Sequence, residues 1–134
     1  MRFHISTKAI AFGLLASTAY VDVALAASAV AIADDHVFTY RSGYQDKTQA
    51  EISALASCRR RSHKRQSCRI LVSCAGGGVG AISLRRARGY LARAIGATCG
   101  QPDRRSAYRG AVQECNKASR RRGCGHPRTA WWDP

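Results

Sequence analysis

Acidic residues are scarce in this chain of 134 residues, which has 8 Asp and Glu against 22 Lys and Arg and a net charge of +14. No cysteine occurs before Cys58, which argues against a lipid-anchored lipoprotein. The six cysteines include no Cys-x2-Cys pair, so their spacing disfavours a tetrahedral zinc site. No Gly-Lys-Ser or Gly-Lys-Thr follows the glycines at 76–78, which excludes a phosphate-binding P-loop. Aromatic residues make up 7% and no recognised nucleic-acid-binding motif is present, which argues against sequence-specific reading of nucleic acid.

The N-terminal residues have the pattern of an export signal. A positively charged start precedes an apolar run over residues 9–19, and Ala24-Leu25-Ala26 places small residues where a signal peptidase needs them. The apolar run is too short to cross roughly 30 Å of hydrocarbon, so a membrane anchor is disfavoured. We expect residues 1–26 to be removed by cleavage after Ala26, with cleavage after Ala33 as the alternative. The product would be periplasmic or extracellular and would have no transmembrane span.

The expected mature chain, at positions 27–134, is small and basic. Removing Arg2, Lys8 and Asp22 with the signal leaves 20 basic and 7 acidic residues, and so a net charge of +13. A chain of this length buries a modest core and is close to the size at which disulfides commonly add support. We expect residues 27–36 to be a flexible N-terminus and residues 37–134 to form a single domain.

A short unit, Ala-x3-Ala-x3-Cys followed by a second Cys, occurs twice. The copies are Ala50, Ala54, Cys58 and Cys68, and Ala107, Ala111, Cys115 and Cys124. The spacing between copies is constant at the first three positions and shorter by one at the last, a pattern typical of a duplicated small domain. In an oxidising compartment an even number of cysteines indicates a disulfide framework.

The repeat also suggests how the cysteines pair. If each helix turns back into a strand, the two cysteines of a copy close a small loop, and the remaining two pair by elimination. The expected disulfides are Cys58 with Cys68, Cys115 with Cys124, and Cys74 with Cys99.

Local patterns predict two strand-and-helix units, at about residues 37–84 and 90–132. Thr48 and Glu51 have the spacing of a capping box that would start the first helix, and Ala50, Ala54 and Cys58 share one of its faces. The other expected elements are strands at 37–40, 68–74, 79–84, 90–95 and 129–132, a hairpin tip at 85–89 and a second helix at 106–119. Together they predict an α+β fold, in which two helices pack on an antiparallel sheet.

These features resemble a known family. The stretch from about Val37 to Trp132 contains the turn Ser42-Gly43, the spacing Thr48-x-Ala50-x3-Ala54-Leu55-x2-Cys58, a strand from Cys68 to Cys74 and a closing Trp131. In these it is similar to the secreted bacterial family called domain of unknown function 4189. The resemblance covers nearly all of the mature chain. It implies a small exported module with a duplicated, disulfide-supported α+β unit, no established activity and no catalytic residue.

Arginine supplies 17 of the 20 basic residues of the mature chain. Because arginine makes bidentate contacts with phosphate and carboxylate, dense arginine indicates an anionic partner, whereas a solvated basic face is the simpler alternative. We expect an anionic surface, a polyanion or an acidic protein, bound without sequence specificity if it is nucleic acid. The candidate residues form a first basic cluster (Arg59, Arg60, Arg61, Lys64, Arg65), a second (Arg85, Arg86, Arg88) and a third (Arg120, Arg121, Arg122).

Two other functions fit the size, the export signal and the charge. One is a periplasmic inhibitor or immunity protein, although no residue singles it out. The other is a small basic nuclease, for which the candidate acids and bases are His63, His126, Glu51 and Glu114. Each of these four residues has a simpler structural explanation, so we expect a binding module rather than an enzyme, without a metal or cofactor.

Overall fold

A computed structural model describes residues 26–86, 92–120, 123–125 and 129–133. The described part contains no helix long and apolar enough to cross a membrane. The elements in chain order are β1 (Ala27–Ile32), β2 (Phe38–Tyr44), α1 (Lys47–Arg61), a 3-10 turn (Arg65–Ser67), β3 (Arg69–Cys74), β4 (Gly78–Arg86), β5 (Ala92–Gln101), α2 (Arg104–Ser119) and β6 (Thr129–Asp133).

The α+β prediction is confirmed, and the strands form two antiparallel sheets of three strands each. The strand orders are β2-β1-β3 and β5-β4-β6, so the first strand of each set lies in the middle. One buried cluster joins α1 to the alanines of β1, and another joins α2 to β4. A third cluster contains apolar side chains from both sheets, including Val30, Ile82 and Ile95. The sheets therefore face each other, and each carries one helix on its outer side.

Strand β1 corrects the expectation of a flexible N-terminus at residues 27–36. All six of its residues are buried, and it pairs with both β2 and β3. Ala27, Ala29 and Ala31 face α1, whereas Val30 and Ile32 face the opposite sheet. Because alanine side chains are small, α1 can lie close to β1. The small residues of this segment therefore allow close packing and do not indicate flexibility.

The boundaries of the two repeats are also corrected. Each repeat is a strand, strand, helix and strand, with β1 to β3 in the first and β4 to β6 in the second. Ala29 pairs with Arg41 and Ser73, and Ala81 pairs with Thr98 and Ala130 at equivalent places in the second sheet. Strand β4 therefore opens the second repeat instead of closing the first, and the expected division at about residues 84–90 was wrong.

Both helices begin at an aspartate. The Asp46 carboxylate accepts hydrogen bonds from the backbone amides of Thr48 and Gln49, and Asp103, at the equivalent position of the second repeat, accepts one from the amide of Ser106. The expected capping box was wrong, because Glu51 instead accepts a 2.5 Å hydrogen bond from the Ser73 hydroxyl. The repeated Ala-x3-Ala-x3-Cys positions have the predicted role, because all six residues are fully buried on the inner faces of α1 and α2.

The three predicted disulfides are present, and one of them joins the repeats. Cys58–Cys68 and Cys115–Cys124 each lie within a repeat, whereas Cys74–Cys99 connects β3 to β5. The strands β2 and β6 are in contact as well, because the ring of Tyr40 stacks on Trp131 with centroids 5.3 Å apart. A covalent bond and an aromatic pair thus link the repeats, in addition to the apolar cluster between the sheets.

Candidate anion-binding surface

The first basic cluster lies at one end of α1. Arg59, Arg60 and Arg61 form the last turn of the helix, and Lys64 and Arg65 follow in the loop that leads to β3. All five side chains are exposed. Cations at the C-terminal end of a helix interact favourably with its dipole, so the helix accepts three consecutive arginines at this point.

Two carboxylates that contact the segment after α1, Asp34 and Asp35, have partners outside this cluster. Asp34 pairs with Arg69 at 2.9 Å, and Asp35 accepts hydrogen bonds from the Ser62 hydroxyl at 2.8 Å and the His63 amide at 2.9 Å. Partial desolvation would raise the pKa of Asp35, but these hydrogen bonds outweigh it and hold the pKa below its ordinary value of 3.8. Among the described residues, none of the ion pairs involves the first basic cluster.

Arg41 joins this cluster, although no pattern along the chain pointed to it. Its guanidinium donates to the Ser57 hydroxyl, which also accepts a 3.2 Å hydrogen bond from Arg60. Ser57 is buried, so two guanidinium groups meet over a neutral acceptor. Beside them is a cleft of about 370 Å³, which we call the first cleft, lined by His36, residues 37–41 and Arg61.

The second and third basic clusters are described only in part, at the end of β4 and at the end of α2. The Ser83 hydroxyl donates to the carbonyl oxygen of Gly125 at 2.8 Å, which holds the segment after α2 against β4. Arg85 is half-buried beside Gly123, and Arg120 is exposed at the left-handed C-cap of α2. The backbone of Arg86 lies in β4, whereas Arg88, Arg121 and Arg122 lie outside the described residues.

The candidate acids and bases of a nuclease are not brought together where the structure describes them. Glu51 is in the second turn of α1, and His63 lies two residues beyond the last residue of that helix, so about 15 Å of helix axis lies between Glu51 and the helix end that precedes His63. Glu114 lies on α2 in the other repeat and pairs with Lys117 at 2.6 Å. His126 lies outside the described residues. Within the described part, no group of three or more His, Cys, Asp or Glu has the arrangement of a metal site.

Comparison with known proteins identifies the family. No curated protein and no solved structure matched the chain. A family model described as a domain of unknown function (DUF4189) matches residues 26–130, from the residue before β1 into β6. The match includes both repeats and all six cysteines, and it begins where the described fold begins. The chain therefore belongs to the DUF4189 family.

Proposed function

We propose that this protein is an exported, disulfide-stabilised module that binds an anionic partner through its first basic cluster. One observation carries the proposal: five exposed cations lie together, and the adjacent acids Asp34 and Asp35 are engaged by other groups. Charges left uncompensated within the molecule attract an external polyanion, and binding releases the counterions that surround it.

Two further features support the proposal. The three disulfides, which persist in oxidising compartments, support export. The cluster is also anchored to a rigid element, since α1 packs on β1 through fully buried alanines and Cys58–Cys68 closes the loop after it. A rigid cationic surface needs little ordering when it binds, which favours affinity.

The test is binding of the oxidised protein to RNA, duplex DNA, lipopolysaccharide and anionic vesicles across a series of salt concentrations. We expect binding without loss of substrate, and a steep decrease as salt rises. Replacing Arg59, Arg60 and Arg61 by Gln should reduce the slope of log K against log salt by up to about 0.9 per lost phosphate contact on duplex DNA. The fold should persist, because these side chains are exposed at a helix end.

A control variant with the same change in net charge shows whether binding depends on the first basic cluster or on the net charge of the whole protein. Arg104, Arg105 and Arg109 are exposed on the first turns of α2, and replacing these three by Gln also removes three charges. If both triple variants reduce the slope equally, binding depends on net charge alone and the proposed surface is wrong. Tight, salt-independent binding of one protein would favour the inhibitor, and RNA cleavage abolished by His63→Ala or His126→Ala would favour the nuclease.

A further inference from the structure

The two repeats have clefts at equivalent places. The first cleft lies beside β2 and reaches the end of α1 at Arg61. A second cleft, of about 440 Å³, lies beside β5 and reaches the end of α2 at Lys117 and Ala118. At the spacing that separates Cys58 from Cys115, residues 38–41 of the first cleft correspond to residues 95–98 of the second, and Arg61 corresponds to Ala118. The two clefts thus share these five equivalent positions, whereas the second is also lined by Leu71 and Val72 of β3.

The described residues that line the two clefts differ in charge. Thr98 and Ala118 stand in the second cleft where Arg41 and Arg61 stand in the first. Lys117, the equivalent of Arg60, pairs with Glu114, and Ser57 is the neutral equivalent of that glutamate. At these three positions, therefore, the first repeat has three arginines, and the second has threonine, alanine and a lysine paired with a carboxylate.

Hydrogen bonds position Arg41 in the first cleft and bring it close to Arg60, which lies outside the lining of that cleft. Arg41 is half-buried and donates to the Ser57 hydroxyl and to the carbonyl oxygen of Tyr40, the second at 3.2 Å. Arg60 shares the same hydroxyl at 3.2 Å. A guanidinium has five N–H donors, so each retains donors for a further acceptor. Two cations held together over a neutral group repel each other, and an anion between them would relieve that repulsion.

We propose that the first cleft is a binding site for a phosphomonoester group, with Arg41 and Arg61 as its principal ligands. This inference rests on the proposed function, since it assigns a specific anion to one part of the same basic surface. A phosphomonoester has three acceptor oxygens and nearly two negative charges at neutral pH, which suits two guanidinium forks better than a carboxylate does. The cleft volume is near the lower end of the range for small-molecule sites.

Titration calorimetry with inorganic phosphate and glycerol 3-phosphate tests the site, with acetate as the comparison anion. We expect one saturable site per chain, and weaker binding of acetate. Arg41→Thr and Arg61→Ala, which install the residues of the second cleft, should each weaken phosphate binding by about tenfold or more. Arg61 is exposed at the end of α1, so its variant remains informative even if Arg41→Thr fails to fold.

Two variants outside the site serve as controls. Arg105→Gln removes an exposed charge of α2 that does not line the first cleft, and Lys117→Ala removes the cation of the second cleft. Both should leave phosphate affinity within about twofold of the parent, in keeping with a site of defined geometry. Equal weakening by Arg105→Gln and Arg61→Ala would overturn the proposal, as would the absence of saturable phosphate binding.

Vesicles distinguish a lipid headgroup from a free phosphate compound as the source of the ligand. Phosphatidic acid presents a phosphomonoester, whereas phosphatidylglycerol presents a diester of similar size. Binding of phosphatidic acid vesicles that Arg61→Ala abolishes assigns the site to a lipid, and binding of glycerol 3-phosphate alone assigns it to a soluble ligand. If polyanions bind in a salt-dependent way but no phosphomonoester binds, this inference fails and the proposed function stands. If neither binds, both fail.

Discussion

Single glycines determine how closely each layer approaches the next. Gly96 in β5 lies directly under α2, and a Cβ atom built on it would overlap the backbone nitrogen of Cys115 and the carbonyl oxygen of Ala111. Both obstacles are helix backbone, so neither can move without shifting α2. The equivalent residue in the first repeat is Thr39, which instead donates a 2.9 Å hydrogen bond to the carbonyl oxygen of Ala54. The two helices therefore contact their sheets differently at this one position.

Gly96→Ala should destabilise the protein strongly. A single methyl group must displace α2 from β5, and overpacking of a well-packed site costs about 1 to 3 kcal/mol or more. Urea unfolding of the oxidised protein measures the loss. Gly76→Ala is the matched control, because a Cβ atom there meets nothing within 4 Å, and it should change the free energy of unfolding by less than about 1 kcal/mol. Equal stability of the two variants would mean that α2 does not lie on Gly96.

Only some of the residues of the candidate site could be predicted from the sequence. The first basic cluster is a local run of the sequence and was found as such. Arg41 was missed because an isolated arginine in a strand forms no cluster along the chain. Its contact with Ser57 spans 16 residues and arises only when α1 packs on β2. A site that depends on contacts between residues distant in sequence cannot be recognised from composition or from local patterns.

At the scale of elements, β1 determines which leader cleavage is compatible with the fold. Cleavage after Ala26 leaves the strand complete, because β1 begins at Ala27. Cleavage after Ala33 would remove it entirely. Strands β2 and β3 would lose their common partner, and Val30 and Ile32 would be lost from the core at about 1.5 to 3 kcal/mol each. The position of β1 thus favours one of the two expected sites over the other.

If the protein is exported as proposed, we expect its mature chain to begin at or before Ala27. Intact mass and N-terminal sequencing of secreted material measure this directly. A chain that begins at Asp34 should fail to form a cooperative fold, whereas one that begins at Ala27 should retain the stability of the exported protein. A folded, stable product that starts at Asp34 would contradict the central position of β1.

The elements that sequence reasoning found and missed differ in physical character. The helices were recognised because each buries one face, so small or apolar residues recur with the period of the helix. The strand at 68–74 was recognised by its run of apolar and β-branched residues, which pack both on the helix side and between the sheets. Strand β1 is buried on both faces and is built from alanine, serine, valine and isoleucine, and in this position such residues also suit a leader. Its equivalence to β4, in which Ala29 matches Ala81, emerges only from strand pairing, because these two alanines are closer along the chain than Cys58 and Cys115 are.

At the scale of the whole molecule, the two repeats depend on each other. Each has a sheet with one face covered by its own helix and the other by the opposite sheet. Separated, each half would expose its part of the shared cluster, which contains Val30 and Ile32 from one repeat and Ile82, Ile95 and Trp131 from the other. A unit of roughly 50 residues buries a small fraction of its surface and is only marginally stable, so exposure of this cluster would be expected to unfold it. We therefore expect the two repeats to unfold as a single cooperative unit rather than as two domains.

Removing the disulfide between the repeats should lower stability without separating them. In Cys74→Ala with Cys99→Ala, loss of a cross-link that spans 25 residues should cost about 3 kcal/mol through greater freedom of the unfolded chain. The interface between the sheets remains, and so does the stack of Tyr40 on Trp131. We expect urea unfolding followed by tryptophan fluorescence and by far-ultraviolet circular dichroism to give coincident transitions at a lower midpoint. Two separate transitions would mean that Cys74–Cys99, rather than the apolar interface, makes the repeats one body.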